Sequence, residues 1–111
     1  MEEVFTPIMW DNRKNGFFPI ECFPYASYPM LAQGECEKVC REMNKVISSE
    51  WQPETGEVYW HPCTWVPRKG FIPMDCAVTF ERAVYPPFRN EGECKKVCDK
   101  LNEIFVRYGI G

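Results

Sequence analysis

The sequence predicts an α+β fold: a tandem ββα repeat giving a four-stranded antiparallel sheet, with two helices on one face and a pseudo-two-fold axis between the units. Three observations carry that expectation. The chain repeats itself in the same order at a near-constant offset. Each copy shows strand–turn–strand chemistry followed by a helical apolar stripe. A lone two-stranded hairpin is marginal in water, so the copies are expected to complete one another.

The repeat is read directly from the residues. Gly16-Phe17-Phe18-Pro19-Ile20-Glu21-Cys22 returns as Gly70-Phe71-Ile72-Pro73-Met74-Asp75-Cys76. Upstream, Pro7 and Trp10 match Pro62 and Trp65, and Arg13-Lys14 matches Arg68-Lys69. Downstream, Tyr28-Pro29 matches Tyr85-Pro86, and Gly34-Glu35-Cys36-Glu37-Lys38-Val39-Cys40 matches Gly92-Glu93-Cys94-Lys95-Lys96-Val97-Cys98, with Asn44 matching Asn102. Residues 1–50 form the first unit, 51–56 a connector and 57–111 the second, all within a single domain of 111 residues. A chain of that length buries roughly two-thirds of its unfolded surface, enough for one core.

In chain order, Val4–Trp10 is rich in β-branched and aromatic residues, Asp11–Gly16 ends in Asn-Gly, and Phe17–Tyr25 reads as the returning strand. Cys36, Val39, Cys40, Met43 and Val46 then share one helical face. The second unit repeats this with Val58–Val66, the turn Pro67-Arg68-Lys69-Gly70, and a strand over Phe71–Phe80. Its helix carries Cys94, Val97, Cys98, Leu101, Ile104, Phe105 and Tyr108 on one stripe, opened by a capping box from Asn90 to Glu93. Glu37 with Arg41 and Glu103 with Arg107 are expected i, i+4 pairs. Prolines 7, 19, 62 and 73 assign parts of the strands to edges or bulges.

Seven cysteines are the unusual entry in the composition. The repeat divides them into three matched pairs and one unmatched residue, because Cys63 stands opposite Ile8. Cys36, Cys40, Cys94 and Cys98 lie on the apolar stripes, where they serve as small core residues. The alternative is a structural zinc site of these four thiolates, converging at about 2.3 Å from the metal. A third reading gives each helical cysteine a disulfide partner on a strand, with Cys22 and Cys76 as candidates. The acidic Met-Glu-Glu opening has no signal-like apolar run after it, which predicts a cytoplasmic protein with reduced cysteines. No segment approaches membrane-spanning length, and no membrane partner is expected.

Catalytic patterns are missing: there is no phosphate-binding glycine loop, no zinc-protease helix and no nucleophile elbow. His61 and Cys63 fall on one strand face, but no third residue orients them, and no enzyme or cofactor is expected. The basic tips Arg13-Lys14 and Arg68-Lys69 are candidate phosphate or nucleic-acid contacts, disfavoured by a net charge of −3. Seventeen aromatic residues exceed what a small core needs (four Trp, five Tyr, eight Phe). Tyr28, Trp51, Trp60, Tyr85 and Phe88 lie in or beside loops and proline-rich turns, where large rigid side chains anchor partners. The expected function is a non-enzymatic protein-interaction module that binds another protein or itself. Such a module suits an inhibitor or adaptor of a larger complex, as in a phage or mobile element.

Overall fold

The computed structural model describes residues 4–11, 16–22, 28–50, 59–74, 78–79, 85–88 and 91–109. The first half forms strands β1 (Val4–Asp11) and β2 (Gly16–Cys22), then helix α1 (Gln33–Glu50). The second forms β3 (Tyr59–Val66), β4 (Gly70–Pro73), β5 (Val78–Thr79), β6 (Pro87–Phe88) and helix α2 (Glu91–Arg107). The protein is a small α+β structure.

Each half opens with an antiparallel hairpin. β1 faces β2 with Trp10 opposite Phe17, and β3 faces β4 with Trp65 opposite Phe71. The β1–β2 register shifts between Thr6 and Met9, placing one extra residue on β1 at Pro7-Ile8. Proline has no N–H for the ladder, so a bulge is where it fits. The β3–β4 turn is closed by Lys69 N–H donating to the Val66 carbonyl at 3.1 Å. Arg68 and Gly70 sit there at positive φ, 69° and 84°.

The expected strand over Phe71–Phe80 is divided. Cys63 faces Pro73 and Trp60 faces Val78, so β3 advances three residues while its partner advances five. β6 was not expected; it pairs with His61 and Pro62 of β3.

Among the described residues the two hairpins do not join in a single four-stranded sheet. β1–β2 is one antiparallel sheet, and β3 organises a second with β4, β5 and β6. The reason lies in how each hairpin uses its backbone groups. Phe5 of β1 exchanges both backbone hydrogen bonds with Leu31, just ahead of α1, at 2.9 and 2.8 Å. The equivalent stretch of the second half, β6, takes the same part against β3. On the returning strands, the Asn44 amide accepts from Phe17 N–H at 2.6 Å and donates to the Phe17 carbonyl at 3.0 Å. Asn102 does the same to Phe71, at 2.8 and 2.9 Å. At Phe17 and at Phe71 an amide side chain thus takes the backbone groups that a neighbouring strand would use.

The helices bury the stripes expected of them. Cys36, Val39, Cys40 and Met43 are buried on α1, and Cys94, Val97, Cys98, Leu101, Ile104 and Phe105 on α2. Ile47 is buried too, while Val46 only packs against the core. α1 lies on β1–β2, α2 lies on β3, β4 and β6, and the helices touch each other. Arg107 turns to Glu42 of α1 at 3.6 Å, so it links the helices instead of pairing with Glu103. Such an exposed pair contributes well under about 1 kcal/mol. The buried residues of both halves form one cluster. At its centre Phe17 meets Phe71 edge-on at 5.7 Å, flanked by Trp10 on one side and by Trp65 and Phe105 on the other. No helix among the described residues is long and apolar enough to cross a membrane.

Candidate functional site

Two features carry chemistry: a buried group of thiols and a basic-rimmed groove. The thiols come from β3 and α2. Cys94 and Cys98 are one helical turn apart on the buried stripe, and Cys63 approaches from the strand beneath. The Cys63 and Cys98 sulfurs are 2.8 Å apart, Cys94 and Cys98 are 3.9 Å apart, and all three sulfurs lie within 4.8 Å of one another. Burial pushes the Cys63 thiol well above its ordinary range, with further upward contributions from Cys94 and Cys98. Cys98 is pulled down by its contact with Cys63, but Cys94 and burial together outweigh that and leave it raised. Protonated, buried thiols are poor nucleophiles.

In the first half, no third sulfur joins Cys36 and Cys40 of α1 among the described residues. Ile8, set opposite Cys63 by the sequence alignment of the two halves, is fully buried. Cys40 directs its thiol toward the Pro7 carbonyl at 3.9 Å. Its contact with Cys36 lowers Cys36 and raises Cys40, with burial adding to the latter. Cys36, Cys40, Cys94 and Cys98, the four thiols expected of a zinc site, do not come together as one group among the described residues. Each helix presses its cysteines onto its own hairpin, and the group that converges is Cys63, Cys94 and Cys98. That trio fits zinc poorly. Tetrahedral thiolates at about 2.3 Å from a metal stand about 3.8 Å apart, a full ångström beyond the Cys63–Cys98 separation. No fourth ligand joins them among the described residues.

The groove lies where the β3–β4 turn meets the end of α2. It has a volume of about 210 Å³, floored by Trp65 and Phe105 and rimmed by Arg68, Lys69 and Val106. Val106 is 77% exposed, the most exposed large apolar side chain described. Trp65 holds its indole N–H buried without an acceptor among the described residues.

The remaining expected contacts are dispersed. Tyr28 is exposed at 44%. Tyr85 is half-buried against the core, and burial pushes its phenol above the ordinary range, with Tyr28 adding to the rise. Phe88, expected to meet a partner, is 3% exposed and belongs to the core, because β6 turns it inward against β3 and α2. Arg13, Lys14 and Trp51 lie outside the described residues, as do Cys76 and the side chains of Trp60, His61 and Cys22.

Sequence reasoning passed over Asn44 and Asn102. Their recurrence in the repeat was visible, but an asparagine on a helix does not announce a bond to a strand 27 or 31 residues away. Asn102→Asp keeps an acceptor for Phe71 N–H and sets a carboxylate oxygen against the Phe71 carbonyl. It is expected to cost about 1–3 kcal/mol of stability, read as a lower urea midpoint. An unchanged midpoint would show that the clamp contributes nothing.

The described residues form a small α+β structure with a buried thiol group and a groove rimmed by Arg68 and Lys69. The chain matches no protein-family model, and comparison with curated proteins and with solved structures finds no match.

Proposed function

We propose that the protein is a non-enzymatic protein-interaction module, one domain of two ββα repeats, acting as an adaptor or inhibitor of a larger complex. Its groove takes an acidic peptide segment bearing an apolar side chain. The observation that carries this reading is the exposed Val106 beside the paired cations Arg68 and Lys69, on a chain whose net charge is −3. An apolar side chain of the ligand would cover Val106, and its carboxylates would meet the two cations. Arg68 adds support through its backbone. At φ 69° a glycine would be less strained by about 1 kcal/mol, yet a cation stands there. The repeat is supported by the matched asparagine clamps and the matched Trp–Phe registers of the two halves.

The test uses the Trp65 indole N–H as a reporter in nuclear magnetic resonance. An acidic leucine-bearing peptide, its neutral counterpart and a single-stranded oligonucleotide are titrated separately. The acidic peptide alone is expected to move the signal, with Lys69→Glu and Val106→Asp each weakening binding at least about tenfold, or 1.4 kcal/mol. A response to the oligonucleotide only, or to none of the three, would sink the reading.

A further inference from the structure

We propose that Cys63 and Cys98 are a disulfide-forming pair, a covalent modification site that ties β3 to α2. Their sulfurs, on two elements that pack together, already stand 2.8 Å apart, between a bond length of about 2.05 Å and the wider spacing of metal-bound thiolates. Both side chains are buried in the core, and among the described cysteines the sulfurs within reach of either are each other's and that of Cys94. Cys94 reaches Cys63 as well, but it stands 3.9 Å from Cys98, one helical turn before it, and cysteines so placed on one helix do not meet a disulfide's geometry without unwinding it.

The first half supplies an internal control. There the repeat sets Ile8 at the strand position, and among the described residues no third sulfur joins Cys36 and Cys40. A hydrocarbon therefore fills the same place beneath the same helical pair, and a fold built around it stands within this molecule. Cys63 is the unmatched cysteine of the repeat, and the pairing gives it a partner.

The oxidant is a low-molecular-weight disulfide such as oxidised glutathione. During folding, before α2 closes over β3, the Cys98 thiolate attacks one sulfur of that disulfide and expels one thiolate. The Cys63 thiolate then attacks the Cys98 sulfur of the mixed disulfide and expels the second. Two protein thiols lose two electrons and two protons in total, and the oxidant leaves as two thiols. A reducing compartment leaves the pair open, and an oxidising one closes it.

The full chain is refolded in a glutathione redox buffer, alkylated after denaturation and mapped without reduction. A bond between Cys63 and Cys98 is expected, present in wild type and lost in Cys63→Ile. Closing a loop that spans 35 residues should lower the unfolding equilibrium constant on the order of several hundred-fold. That gain should vanish on reduction and be missing from Cys63→Ile, which the Ile8 precedent keeps folded. Free alkylation of both residues, a bond from either to Cys94, Cys22 or Cys76, or one metal ion held by the three thiols in native mass spectrometry would each overturn the proposal.

Discussion

Replacing Phe71 with alanine is expected to remove about 4 kcal/mol of stability, enough to unfold a large share of the molecules at ambient temperature. Phe71 is buried to within 1% and is held from three directions. Its ring is 5.7 Å from Phe17, 5.5 Å from Trp65 and 5.6 Å from Phe105, all edge-on. The first of these contacts joins the two halves; the other two belong to the second half. Truncation therefore opens a cavity at the junction and inside one unit together. Phe71→Leu, which keeps most of the volume, should recover over half of the loss. Equilibrium unfolding in urea measures both, and similar midpoints for wild type and Phe71→Ala would refute the central placement of this ring.

Gly70→Ala is expected to cost about 3 kcal/mol, from two sources that act at the same atom. At φ 84° an L-residue is strained by roughly 1–2 kcal/mol, and the added Cβ would stand 2.5 Å from Asn102 Oδ1. The amide has to retreat, which weakens both of its bonds to Phe71. Gly16→Ala is the comparison. Its Cβ would meet Asn44 Oδ1 at 3.2 Å, with no positive φ to oppose it, so about 1 kcal/mol is expected. Equal losses at the two glycines would show that backbone strain at Gly70 plays no part.

The features legible from the sequence are those set by local period and turn chemistry. Alternation and the Arg68-Lys69-Gly70 turn placed the β3–β4 hairpin, and helical spacing identified nearly every buried residue of α1 and α2. What escaped depends on contacts between distant segments. Nothing local marks Leu31 as the partner of Phe5, or Pro87-Phe88 as a strand against His61-Pro62. Because those pairings were missed, the edges of β1 and β3 looked available and a single sheet followed. The same gap placed Phe88 on the surface. The four helical cysteines illustrate the point for the site. Their spacing gave their burial correctly, but the identity of the third sulfur depended on which strand lay beneath each helix.

The asparagine clamps have a consequence for how the molecule keeps to itself. A protein with two hairpins and 45% hydrophobic residues has material for cross-β stacking, in which backbone rows of one copy template those of the next. Here the rows of the returning strands are interrupted at Phe17 and Phe71 by a helix-borne amide that satisfies donor and acceptor at once. Growth from those rows would require first pulling α1 or α2 away from its hairpin. At those two positions the guard against strand-to-strand growth is carried by the helices, although the exposed rows belong to the strands.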